Sequence, residues 1–213
     1  TIATGEPQLR SVAVDDTHVY WSNAETRNLD GGSGTTGGTI VRAPREGGPR
    51  SVLATHRSNA RRIAVDATSV YWTANAGIDA VPKAGGATTS VVTSPSKPPS
   101  SVATDGDRIF FTGEGAASIR PGDPTPETLF EAPIVLDVVP FGARAYVTRN
   151  FVFARGEKVE EAGVFAVEGG RSRQLAALRG PSALAVDGTA VYVADGPPLS
   201  QPGDHRLVAF PHQ

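Results

Sequence analysis

The stretch Arg62-Ile63-Ala64-Val65-Asp66-Ala67-Thr68-Ser69-Val70-Tyr71-Trp72 holds two short strand patterns around one turn. Ile63 and Val65 share a face with period two, and Val70-Tyr71-Trp72 is β-branched and aromatic. Between them Asp66 opens a turn in which its carboxylate can accept hydrogen bonds from nearby amides. The same arrangement recurs as SVAVDDTHVYW at 11–21, SVATDGDRIFF at 101–111, DVVPFGARAYV at 137–147 and ALAVDGTAVYV at 183–193. Starts at 11, 62, 101, 137 and 183 are 51, 39, 36 and 46 residues apart. Periods of about 40 residues belong to propeller blades, each a sheet of four short strands.

The rest of each repeat supplies the outer strands. A third strand reads from GTIVRAPREGG at 38–48, GIDAVPKAGG at 77–86, GVFAVEGG at 163–170 and RLVAFPHQ at 206–213. A fourth reads from Ser51 to Thr55, Ser90 to Thr93, Thr128 to Phe130 and Gln174 to Ala176. The fifth repeat stops after its third strand, whereas Thr1-Ile2-Ala3-Thr4 matches the fourth-strand pattern Val52-Leu53-Ala54-Thr55. The expectation is an all-β fold, a β-propeller of five four-stranded blades whose ring is closed by the N-terminal strand. The blades run approximately over 7–57, 58–96, 97–133, 134–179 and 180–213 plus 1–6, as one domain. Only Arg171 to Leu178 could pass for a helix, and none is required.

Composition agrees and excludes several classes. With 24 Gly and 17 Pro among 213 residues, turn formers abound, yet 39% of residues are hydrophobic. That is too apolar for a disordered chain and too broken for a helical bundle. Lys plus Arg is 20 against 22 Asp plus Glu, so the near-neutral chain is not built for nucleic acid. No apolar run is long enough to span a membrane as a helix. Cysteine is absent, which removes disulfides and thiolate chemistry. The absence of Met and the start at Thr1 fit a processed or trimmed chain, and 17 Arg against three Lys fits a GC-rich bacterial genome.

VDDTHVYWS and VDATSVYWT, the latter followed by GIDAVPKAGG, resemble the repeats of bacterial, myxobacterial-type exported YWTD-like β-propeller proteins. These are related to the YWTD repeats of low-density lipoprotein receptors. The third repeat departs with Phe110-Phe111, and the fourth with Pro140-Phe141. The resemblance implies a rigid platform used for binding, exported to the periplasm, the outer membrane or the cell exterior. It implies no reaction.

In a propeller, the loops leading into each innermost strand share a face with those between second and third strands, and such loops carry function. The connections Asn23 to Gly37, Asn150 to Ala162 and Asp195 to His205 are long, and those of repeats two and three short. They define a rim suited to a protein, small-molecule or glycan ligand. Its candidate ligand-binding residues are Arg10, Arg61, Arg62, Asn23, Arg149 and Asp195. The arginines could clamp a carboxylate or phosphate, or pair with Asp137 and loop acids. Trp21 and Trp72 are expected in inter-blade core rather than as sugar platforms, and Asp15, Asp66, Asp105 and Asp187 as turn caps. No cofactor or metal is expected: His18, His56, His205 and His212 lack metal-motif spacing, and Asn28 to Gly31 has no Glu at the twelfth calcium-loop position. Gly32-Ser33-Gly34 lacks the context of a nucleophile elbow. The leading expectation is a non-catalytic platform. The alternatives are a hydrolase or lyase at the channel mouth using Asp137, Asp204 and His205, and a carbohydrate-binding propeller.

Overall fold

In a computed structural model, the described residues are 1–6, 8–23, 26–27, 35–36, 38–55, 60–93, 97–150, 152–154, 157–160, 162–196 and 204–212. The chain divides into two compact units, Thr1–Val102 and Ala103–Gln213. In the first unit, β1 (Leu9–Val14) and β2 (His18–Asn23) are followed by the two-residue pair β3 (Thr26–Arg27) and β4 (Thr35–Thr36), then by β5 (Thr39–Pro44) and β6 (Ser51–Ala54). The first sheet is the meander β1-β2-β5-β6. The second sheet is built in the same antiparallel order from β7 (Ile63–Val65), β8 (Ser69–Ala74), β9 (Gly77–Pro82) and β10 (Thr89–Thr93).

The third sheet holds β11 (Val102–Thr104), β12 (Ile109–Thr112), β13 (Gly115–Ile119) and β14 (Glu127–Glu131). The second unit continues with β15 (Val135–Phe141), β16 (Arg144–Arg149), the small hairpin β17 (Val152–Ala154) and β18 (Glu157–Glu160), β19 (Gly163–Glu168) and β20 (Arg171–Ala177). The fourth sheet is β15-β16-β19-β20. Arg171–Ala177 is therefore strand where a helix over Arg171 to Leu178 was conceivable. The fifth sheet is β21 (Pro181–Val186), β22 (Ala190–Asp195) and β23 (Arg206–Pro211).

The turn that defines the repeat is closed by one carboxylate. Asp66 Oδ1 accepts from the amides of Thr68 (2.7 Å) and Ser69 (2.8 Å), and Oδ2 from the Tyr71 hydroxyl (2.7 Å). Asp15 does the same with Thr17, His18 and Tyr20, and Asp187 with Thr189, Ala190 and Tyr192. Asp105 keeps the amide bonds to Asp107 and Arg108 but faces Phe110, which has no hydroxyl. In the fourth repeat, which has no Asp there, His212 takes over: its Nε2 donates to the Asp187 carbonyl (2.6 Å), which leaves Nδ1 to accept from Tyr146 (2.9 Å). Burial alone would raise the Asp66 carboxyl, but bonds from Tyr71, Thr68 and Ser69 outweigh it and hold it below the usual range.

Between sheets the packing is apolar. Tyr20, Ile40 and Ala54 of the first sheet meet Ile63, Val70, Trp72 and Val81 of the second. Phe110, Ala116 and Phe130 of the third meet Val138, Val147, Phe165 and Val167 of the fourth. Tyr146, Val164 and Ala166 of the fourth meet Leu184, Val191 and Val193 of the fifth. Trp72 is fully buried in such a junction, as expected of an inter-blade residue. Outer strands slip by one residue against the third strand at β6, β10, β14 and β20. At β10, β14 and β20 a main-chain carbonyl comes onto the glycine that begins the third strand, and at Gly163 there is no room for a Cβ beside Ala176 O.

Thr1 to Thr4 take no strand, and the fifth sheet has three strands among the described residues. Glu6 ties the segment that follows to the first sheet: its Oε2 accepts from Trp21 Nε1 and Asn23 Nδ2 (both 2.9 Å) and its Oε1 pairs with Arg50. With Glu6 anchored, Ala3 packs against Trp21, Val19, Val41 and Ala43 of the first sheet.

Burial and then the Asp66 contact push the Tyr71 hydroxyl up to about 12. A group whose folded value is raised contributes fully below its unfolded value near 10 and loses that contribution as pH climbs through about 12. Tyr71→Phe is expected to lower stability near neutrality by about 1 kcal/mol. It should also shallow the alkaline decline, both read by urea denaturation at several pH values.

Candidate functional site

The starts of the innermost strands are irregular by construction. Register slips between Leu9 and Ser11, between Val135 and Asp137, and between Pro181 and Ala183, so Arg10, Leu136 and Ser182 are bulge residues. Bulges re-aim side chains at strand ends. Arg10 is exposed, and so is Arg61, the residue at the same repeat position ahead of β7. The two strand starts are joined directly, because the Ile63 amide donates to Ser11 Oγ (3.2 Å). Arg62 is half-buried; its amide donates to Thr73 Oγ1 (3.1 Å) and its carbonyl accepts from the Thr73 amide (3.0 Å). Three guanidinium-bearing residues therefore stand on two adjacent strand starts, with main-chain positions set by the sheets.

The other candidates are committed to the scaffold. Asn23 is buried, with Nδ2 donating to Glu6 and to Thr39 Oγ1 (3.2 Å). The Arg149 guanidinium lies over the Phe165 ring, 4.7 Å from its centroid. Asp195 is 2% exposed: Oδ1 accepts from the Arg179 and Gly180 amides (2.8 and 2.9 Å), and Oδ2 from Arg206 Nε and Nη2 (3.0 and 2.8 Å). It ties the loop before β21 to the start of β23. Burial would raise its carboxyl, but the bonds from Gly180, Arg206 and Arg179 win and hold it low.

Asp137, expected at a channel mouth, is 3% exposed. Oδ1 accepts from the Val138 amide (3.1 Å) and Oδ2 from the Leu184 amide (3.0 Å). That is the bond Ser11 makes to Ile63, one repeat position for one, so the acid joins two inner strands. Asp204 and His205 are exposed just ahead of β23, the imidazole lying against Gly196. The three supposed catalytic groups thus have unlike surroundings. Among the described residues no three of His, Cys, Asp or Glu converge as a metal site. Much of the long connections, with His56, Asn28 to Gly31 and Gly32 to Gly34, lies outside the described residues.

Sequence reading missed Glu6 and Lys83. Glu6 has no repeat counterpart to betray it. Lys83 follows β9 and pairs with Asp15 while donating to the Asp66 carbonyl (2.7 Å), which locks neighbouring turns together. Also unforeseen is a groove of about 320 Å³ between third and fourth sheets, lined by Asp105, Arg108, Ser118, Glu127, Arg144 and Glu168 among others. Arg108 pairs with Glu127 and Arg144 with Glu168, so three acids against two arginines leave no net cationic clamp there.

The likeness to solved structures follows the sheets. The β-propeller domain of the Trilobed protease from Pyrococcus furiosus, described as having an open velcro topology, superposes with a TM-score of 0.69 at 11% identity over 96% of this chain and 69% of that one. Pyrococcus horikoshii acylaminoacyl peptidase gives 0.66 at 12% identity over 99% of this chain and 39% of that chain. The WD40 β-propeller domain of Doa1 gives 0.56 at 12% identity over 91% and 64%. This chain has a five-bladed β-propeller fold. No protein-family model and no curated protein matches the chain, so the family resemblance read from the VYW stretches gains no support in sequence.

Asp195→Ala should destabilise the propeller by about 2 kcal/mol, through the two stranded amides more than through the partly exposed Arg206. A carboxyl held low stabilises above its unfolded value near 4 and loses that contribution as pH falls through the folded value. Asp195→Asn is therefore expected to flatten the acid limb of a urea-midpoint-against-pH curve.

Proposed function

We propose that the propeller is a non-catalytic binding platform whose contact face lies at the strand starts and long connections. On this reading it takes an acidic partner through Arg10, Arg61 and Arg62. The observation that carries the reading is the placement of Arg10 and Arg61 at equivalent, exposed positions of two strands joined by the Ser11–Ile63 bond. Guanidinium groups spaced by a rigid scaffold suit carboxylates, since each donates in a fixed fork. The commitment of Asp137 to main-chain amides supports binding over acid–base chemistry.

Export to the cell envelope or exterior is part of the same reading, and rests on the resemblance of the VYW repeats to exported YWTD-like propellers. Neighbours with this fold include a protease domain, a peptidase and a WD40 domain, so fold alone selects no activity.

The test is an array of Asp- and Glu-rich peptides probed with the whole chain. Saturable binding that falls at least about tenfold in Arg10→Ala/Arg61→Ala, at unchanged Tm, is the expected result. Equal binding by the variant would remove the site. Turnover on an ester, lactone or glycoside panel that disappears in His205→Ala would replace the platform with an enzyme.

A further inference from the structure

The residue that follows the third strand has a task at two junctions. Lys83, just past β9, pairs with Asp15 on the turn of the preceding sheet and donates to the Asp66 carbonyl of its own sheet (2.7 Å). His212, just past β23, does likewise, with Tyr146 of the preceding sheet (2.9 Å) and the Asp187 carbonyl of its own (2.6 Å). Register makes the two equivalent, because Tyr71 pairs with Ala80 and Tyr192 with Ala209, and Ala80 precedes Lys83 as Ala209 precedes His212. In the fourth sheet Tyr146 pairs with Ala166, so the same place falls to Gly169, which has no side chain to send across.

The groove of about 320 Å³ between third and fourth sheets has Gly169 in its wall. Asp105, also in that wall, holds the repeat position of Asp15. Asp15 Oδ2 is engaged by Tyr20 and Lys83, whereas the third junction has Phe110 for the tyrosine and Gly169 for the lysine. Neither side chain can donate to Asp105. Ser118 is fully buried, lines the same groove, and its Oγ bonds to nothing among the described residues; nor does Arg108 Nε. Buried polar atoms left open along one cavity point to a ligand group that completes them. Arg108 is balanced by Glu127 and Arg144 by Glu168, which leaves Asp105 as the excess charge, above an apolar lining that includes Phe110 and Val167.

We propose that this groove binds a small primary amine that also carries a neutral hydroxyl or carbonyl oxygen. The ammonium takes the place that Lys83 Nζ fills at the first junction and donates to Asp105, one positive charge against one excess carboxylate. The ligand oxygen accepts from Ser118 Oγ and Arg108 Nε, and the carbon frame rests on Phe110 and Val167. The oxygen is neutral because Glu127, already on Arg108, would repel a carboxylate there. A cavity of this volume lies at the small end of ligand sites, which suits a compact amine.

The test titrates the whole isotope-labelled chain at neutral pH with ethanolamine, glucosamine and glycinamide, each beside its N-acetyl counterpart, and follows amide shifts by NMR. At least one amine is expected to saturate, moving the amides of Arg108 and Gly169, while its acetylated form binds at least about tenfold more weakly. Asp105→Asn, which keeps the turn-capping Oδ1, should weaken binding by about tenfold or more. Ser118→Ala should weaken it about threefold or more without lowering Tm, since the atom removed bonds to nothing in the free protein. Asp107→Asn, whose carboxylate is taken by Arg120 (3.0 Å), should bind as the wild type does. Failure of all three amines to saturate overturns the proposal, and so does equal binding of the acetylated forms. Wild-type affinity in Asp105→Asn, or an equal loss in Asp107→Asn, overturns it as well.

Discussion

Everything regular in this protein starts from a carboxylate folded back on its own turn. Asp15, Asp66 and Asp187 each satisfy two amides and a tyrosine hydroxyl five residues on. That fixes where the second strand begins, and the begun strand sets the phase of Val-Tyr-Trp. Tyr20 of the first sheet and Trp72 of the second thereby meet in one junction. Because strand period is two, a slip of one residue would reverse both faces and undo that junction. A local hydrogen-bond motif thereby acts as the specification for packing tens of residues away.

The junctions are apolar, with polar stitches at their ends. Ser11 and Asp137 accept from the next inner strand, and Lys83 ties two turns of the first unit. The fourth repeat shows that the stitch matters more than its chemistry. Its Asp is gone, yet Tyr146 still finds an acceptor in His212, which also stacks on Phe141 with centroids 4.8 Å apart.

Much of this was legible in the sequence because it is local. Strand pairs, the capping role of the aspartates and the burial of Trp72 follow from residues within a dozen positions of each other. What the sequence does not display is non-local. Glu6 finds Trp21, Asn23 and Arg50 across the first sheet, an arrangement no periodicity announces. Asp137 and Asp195 read as available acids because the main-chain amides that hold them are not displayed by sequence. The third strand of the third repeat, β13, escaped notice because Ala116, Ala117 and Ser118 are small and no Gly-Gly follows. At the candidate site Arg10 and Arg61 were visible, while the Ser11 bond that aligns them was not.

The register of second and third strands has a further effect. Asn23 pairs with Thr39, Ala74 with Gly77, Arg149 with Gly163 and Asp195 with Arg206. Between them run residues 24–38, 75–76, 150–162 and 196–205, connections of 15, 2, 13 and 10 residues leaving matching rungs of the ladder. The sheet is indifferent to what is inserted there. Selection can lengthen or rewrite those excursions one at a time, with the turn carboxylates at the far ends of the strands left undisturbed, so recognition and folding evolve on separate parts of one molecule.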